Sequence, residues 1–210
     1  MGPAGLVVGG GGAAVAGQST KPDHVPGGKK GRAVPPGLIS IQLYTLRSVM
    51  NGDRVDATLA SLADIGYTKV ELVGLYGRTP ADMRATLDGP GITPSPSHDG
   101  ISGSPEGLES KIAGALTLGQ SYINVPYLAS NVADDWRRWA DQMNAEAVVA
   151  RDAGIRYGYH NHAHEFTTDL GGGLTPWEIL TSRLDPKPVH LEVDLYWAVT
   201  RRRCGVPWTS

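Results

Sequence analysis

Ile155-Arg156-Tyr157-Gly158-Tyr159-His160-Asn161-His162-Ala163-His164-Glu165-Phe166 is the stretch on which the reading of the fold turns. Its first six residues form a short β-prone run. A long stretch of helical period, Asp134 to Ala153, precedes it and ends at Gly154. From its last residue, His160, to Glu165 stand three imidazoles and a carboxylate. Helix, glycine stop, short buried strand and polar strand end together make one β/α unit. Alternate strand positions point the same way, so the spacing puts His160 and His162 on one face. A solvated His-rich loop is the alternative reading of the same residues.

Outward from this unit the pattern repeats. Upstream, strands are expected at Leu38 to Leu43, Lys69 to Val73, Gly91 to Ser97 and Tyr122 to Val125. Between them lie helices. Asp53 to Ile65 places Val55, Leu59, Leu62 and Ile65 three and four apart and stops at Gly66, Thr79 to Leu87 opens on a Thr-Pro pair, and Pro105 to Leu118 stops at Gly119. Downstream, Thr175 to Leu184 is a helix and Val189 to Asp194 a sixth strand. Such alternation favours an α/β fold of the (β/α)8 TIM-barrel type, with about six of eight units present. No G-x-G-x-x-G turn follows the first strand, where Tyr44-Thr45-Leu46-Arg47 stands, so dinucleotide binding is disfavoured.

Reactive groups of a parallel barrel come from the C-terminal ends of its strands. Here those ends carry Gln42 and Tyr44, then Glu71, His98, Asn124 and Tyr127, His160 to Glu165, and finally Glu192, Asp194 and Trp197. Asp194 ends an apolar strand and is followed by aromatics able to wall a sugar-sized pocket. A desolvated carboxylate needs a metal, a cation or several hydrogen bonds, and its segment has no basic residue. A metal ligand and a helix N-cap are its two readings. Glu71 faces either the site or a helix, and a lone His190 reads as core. Trp136 and Trp139, three apart, are expected to pack helix against barrel.

The 210 residues suffice for one domain with a sizeable core. A net charge of -2 with scattered basic residues gives no footprint for nucleic acid. The single cysteine, Cys204, excludes an internal disulfide and a cysteine zinc site, so a metal here needs His and carboxylate ligands. Residues 1–37 are rich in glycine and proline and are expected to be a disordered tail or the remnant of an export signal, with Ala14-Val15-Ala16 resembling a cleavage site; localisation is then cytoplasmic or exported. The apolar run within them is too short to span a bilayer.

Gln42-Leu43-Tyr44-Thr45-Leu46-Arg47, Gly66-Tyr67-Thr68-Lys69-Val70-Glu71, Ser97-His98, Tyr159-His160-Asn161-His162 with Glu165-Phe166, and Asp194-Leu195-Tyr196-Trp197 together resemble the sugar phosphate isomerase/epimerase family, the xylose isomerase-like TIM barrels. The resemblance runs over residues 38–200. It implies one divalent cation (manganese, magnesium or zinc), with Glu165 and Asp194 as ligands and His160 as the substitute for Glu165. It further implies catalytic roles for Glu165, His98 and His162, and substrate contacts from Gln42, Glu71, His98, Asn161, His162 and Trp197. The implied chemistry is metal-assisted proton transfer next to the carbonyl of a sugar or keto-sugar. A keto-sugar dehydratase or lyase on the same site, or a sugar-binding module without turnover, are the alternatives.

After Thr200 the text departs from the family. Residues 201–210, Arg-Arg-Arg-Cys-Gly-Val-Pro-Trp-Thr-Ser, replace the glycine-rich turn and the two further strands that the resemblance leads one to expect, so a C-terminally truncated reading frame is the expectation. Six strands leave an unpaired edge, which predicts self-association.

Overall fold

A computed structural model describes residues 33–200; the expected tail up to residue 32 and the run 201–210 lie outside the described residues. Six strands, β1 (Ile41–Gln42), β2 (Lys69–Leu72), β3 (Thr93–His98), β4 (Tyr122–Val125), β5 (Arg156–His160) and β6 (Val189–Glu192), lie in one sheet in chain order. Every pairing is parallel. Seven α-helices alternate with them: α1 (Arg54–Ile65), α2 (Pro80–Asp88), α3 (Pro105–Leu118), α4 (Ala133–Asp152), α5 (His164–Thr167), α6 (Pro176–Arg183) and α7 (Leu195–Thr200).

The helix starts follow local chemistry. Thr79 accepts from the Asp82 amide, Ser104 from the Gly107 amide, and Thr175 with Glu178 closes a reciprocal capping box, each followed by proline in the first turn, where its missing N–H costs nothing. α1 stops where Gly66 takes a left-handed φ of 108°, a region that disfavours side chains. The first strand is shorter than the sequence pattern suggests. Leu43–Leu46 wind into a 3-10 turn whose buried Leu43 is drawn into the core, and Pro36–Leu38 form another.

The sheet sorts its residues by face. Val70, Leu72, Ile123, Val125, Tyr157, Tyr159 and Val189 are buried in the apolar core, which forms two clusters, one over the N-terminal units and one over the C-terminal units. Trp136 is fully buried, packs edge-on to Trp139 at 5.3 Å and donates its indole N–H to the Ser130 carbonyl, as expected of a helix-to-barrel contact. The other face is polar. Register places His98 beside Asn124, Asn124 beside Gly158, Gly158 beside His190, and, one step further along, His160 beside Glu192 and Gln42 beside Glu71. Partners in register share a face, so the alternate strand positions gather these groups on the inner side.

That inner face is tight. A Cβ on Gly158 would meet the His190 ring at 2.6 Å and the Asn124 side-chain oxygen at 2.7 Å, so only glycine lets both approach. Among the described residues β1 and β6 are the sheet's edges, and no helix is long and apolar enough to cross a membrane.

Candidate metal centre

Ligating atoms of His98, His160 and Glu192 all lie within 4.8 Å of one another. His98 Nε2 is 3.8 Å from Glu192 Oε2, and His160 Nδ1 is 3.6 Å from the same oxygen. The other ring nitrogen of His160, Nε2, stands 3.7 Å from Asp194 Oδ2. Three different strand ends supply this cluster, and register explains it. His160 and Glu192 are direct partners, while His98 ends β3 level with Asn124, whose amide donates to the Glu192 carboxylate.

A further ring of groups holds the cluster in place. Glu71, 7% exposed, accepts from the Gln42 amide at 2.7 Å and faces His98 Nε2 at 2.7 Å. Three carboxylates, Glu71, Glu192 and Asp194, thus converge with no lysine or arginine ion-paired to any of them among the described residues. The electrostatics follow. Burial alone would lower the His98 pKa, but Glu192 and Glu71 outweigh it and raise it to about 9. Burial opposes ionisation of Glu192 as well, yet the His160 and His98 rings that face it keep its carboxyl far below the usual range.

These residues fit a divalent cation. Their formal charge is negative, the donor set is imidazole and carboxylate, and the buried Nδ1 of His160 has no hydrogen-bond partner while facing an acid at the spacing of two ligands on one ion. His98, His160 and Asp194 also line a cavity of ≈ 520 Å³ together with Gln42, Tyr44, Tyr127, His162 and Trp197. Within it His162 sits between Tyr127 at 5.3 Å and Trp197 at 5.6 Å between ring centres. Burial, chiefly, lowers the His162 pKa, which keeps its imidazole neutral near neutral pH.

Two residues expected at the site are placed elsewhere. Glu165 is fully buried on α5, and its oxygens accept from the Tyr159 hydroxyl at 2.6 Å and from the His162 amide at 2.8 Å. The helical turn after β5 rotates it off the inner face, so it joins neither the cluster nor the cavity lining. Asn161 is also buried, and both ends of its amide are taken by the Asp194 backbone, at 2.9 and 3.2 Å. It positions Asp194 rather than reaching the cavity. Asp194 has both of its expected roles at once: Oδ1 accepts from the Trp197 amide and caps α7, and Oδ2 faces His160. Gln42, Glu71, His98, His160, His162 and Trp197 are brought together. Sequence reasoning named Glu192 and Asn124 only as strand-end residues; the period-two run His190, Glu192, Asp194 was the signal that places Glu192 inward.

The fold matches solved structures. A sugar phosphate isomerase/epimerase from Parabacteroides distasonis superimposes with a TM-score of 0.69 at 25% identity, over 81% of this chain and 69% of that one. The chain has the fold of the xylose isomerase-like TIM barrels and is similar to this sugar phosphate isomerase/epimerase. Two further neighbours of this barrel show the fold alone: the IOLI protein with a bound zinc atom (TM-score 0.52, 15% identity, 72% of this chain and 60% of that one) and a family 2 AP endonuclease from Brucella melitensis (TM-score 0.53, 12% identity, 75% and 68%). No family model and no curated protein matches the sequence. This chain spans 69%, 60% and 68% of the lengths of these three neighbours.

Proposed function

We propose that this barrel is a divalent-cation-dependent enzyme of the sugar isomerase/epimerase kind, acting by proton transfer next to the carbonyl of a sugar or keto-sugar. The observation that carries it is the His98, His160, Glu192 cluster, two of whose members line a cavity with an aromatic wall. His98 Nε2, His160 Nδ1 and Glu192 would hold the cation, which when bound polarises the adjacent sugar oxygens. Asp194 stands 3.7 Å from the remaining ring nitrogen of His160, where it would orient the ring, or would take a ligand position if the ring turned. Of manganese, magnesium and zinc, the two imidazoles favour zinc and suit magnesium least, and the zinc in the IOLI neighbour supports zinc.

The chain's own residues would do the rest. Trp197 and Tyr127 present aromatic faces to the apolar side of a sugar ring. Gln42 and Glu71 hold His98 and offer hydrogen bonds to hydroxyls. Neutral His162, within the cavity, accepts the carbon-bound proton and returns it. A small sugar fits the cavity, and the scattered basic charge of the chain gives nothing for a phosphodiester backbone to bind.

The test is cation titration followed by incubation with ketoses in deuterated water. Cation-dependent deuterium incorporation at the carbon next to the carbonyl is the expected result. Sugar binding without exchange would reduce the reading to a non-catalytic module, and failure to bind any divalent cation would overturn it.

A further inference from the structure

Glu165 is the most buried carboxylate in the neighbourhood of the cavity, yet it touches neither the cluster nor the cavity. We propose that Glu165 is a positioning residue, a buried anchor that fixes His162 and Tyr127 and so sets the aromatic wall against which a sugar ring rests. The inference rests on the sugar-binding reading above and goes beyond it by assigning a residue outside the cavity.

The anchoring is a chain of contacts. Oε1 of Glu165 accepts from the hydroxyl of Tyr159, itself fully buried on β5. Burial and the adjacent carboxylate push the Tyr159 hydroxyl pKa upward, so it remains a donor at every physiological pH. Oε2 accepts from the backbone N–H of His162, which fixes the turn from β5 into α5. The same oxygen lies 3.4 Å from Nδ1 of His164, whose other nitrogen contacts the Leu128 carbonyl at 2.7 Å. Leu128 follows Tyr127, and the Tyr127 ring lies 4.8 Å from His164 and 5.3 Å from His162. One carboxylate thereby links the β4–α4 loop to the β5–α5 turn, and these two segments carry two of the wall's rings.

Chemistry supports a positioning role over an incidental one. A fully buried carboxylate without a lysine or arginine partner is costly unless donors converge on it, and here the Tyr159 hydroxyl and the His162 amide do, with the His164 ring 3.4 Å away. An uncharged amide in its place can accept at only one end; if that end keeps the His162 N–H, the other end can only donate, so the Tyr159 hydroxyl must reverse its role and loses the acceptor of its own proton. The buried tyrosine is then left short of a partner, or the His162 turn is released.

Two full-chain variants test this, Glu165→Gln and Tyr159→Phe, the second leaving the carboxylate in place should the first fail to fold. Manganese binding is measured by the paramagnetic signal of the free ion, and ketohexose affinity by calorimetry. Both variants are expected to bind manganese within about twofold of the parent. Both are expected to weaken sugar binding by about tenfold with KM raised, and kcat is expected to fall further in Glu165→Gln, which loosens the turn carrying the proton-accepting His162, than in Tyr159→Phe; a tenfold change in Kd corresponds to about 1.4 kcal/mol. Loss of manganese in Glu165→Gln with retention in Tyr159→Phe would make Glu165 a ligand and overturn the proposal while leaving the enzyme reading intact. Unchanged sugar affinity in both variants would also overturn it. If the parent binds ketohexose but no manganese, the cation reading fails and the sugar measurement still decides the role of Glu165.

Discussion

Gly158→Ala is the most direct test of how the inner face is built. An added Cβ would lie 2.6 Å from the His190 ring and 2.7 Å from the Asn124 oxygen, against the 3.4 Å or more of an ordinary contact, so both groups must retreat by roughly 0.7 Å. Neither has room. Asn124 is 1% exposed and donates to Glu192, and the His190 ring is braced edge-on by Tyr122 at 5.3 Å. Overpacking of this kind costs about 1–3 kcal/mol, and loosening a hydrogen bond to a charged group adds on the order of 1 kcal/mol. A loss of about 3 kcal/mol lowers Tm by about 6–12 °C in a chain of this size. Because the strain reaches Glu192 through Asn124, cation affinity should fall with stability, by about tenfold. Paired thermal melts and manganese titrations read both. Adding His190→Ala should recover part of the melting temperature, by removing one of the two clashes. Gly103→Ala is the control, since nothing lies within 4 Å of a Cβ there. A Gly158→Ala protein that melts within about 1 °C of the parent and binds manganese normally would refute this account of the inner face.

Other expectations follow from the same geometry. Glu192→Gln should weaken divalent-cation binding by at least about 100-fold in a metal titration, because among the described residues it removes the only carboxylate shared by both histidines. His98, raised to about 9 from its ordinary 6.5, adds stability to the cation-free protein that is fully present below pH 6.5 and is lost as pH rises through 9, which chemical denaturation across that window will show. Since His98 must shed its proton to ligate, manganese binding should release about one proton and tighten about tenfold per pH unit between 7 and 9, measured by calorimetry in two buffers of different ionisation enthalpy. Tyr157→Phe should cost about 1–3 kcal/mol in urea unfolding, because the buried Glu146 loses the hydroxyl that donates to it at 2.8 Å and keeps only the Ser102 amide, Gln142 and Lys111.

Much of the architecture was legible because it rests on local rules. Val55, Leu59 and Leu62 recur at helical spacing and are buried together, and the Thr79-Pro80 and Thr175-Pro176 starts cap real helices. What escaped is what periodicity is too short to show: the 3-10 turn at Leu43–Leu46 and the helices α5 and α7, of 4 and 6 residues. The same shortness explains the misplacement of Glu165. Read as an extension of β5 it shares the strand's chemistry, but the chain has already turned into a helix and carries it behind the wall. Asn161 shows a different limit, since no sequence pattern reveals that its amide is consumed by the backbone of Asp194, 33 positions away. Glu192 and Asn124 gain their meaning from register between strands, which a single sequence states only as alternation.

The apolar core forms two clusters, one holding residues from Leu43 to Leu118 and the other from Leu108 to Val189. His98 ends β3, within the first half, while His160 and Glu192 belong to the second. An ion shared by these three is therefore a rivet through the seam between two half-barrels. The sheet runs unbroken across that seam, so binding an ion there would add to the stability of the whole cooperative unit, and its removal would lower the single melting temperature.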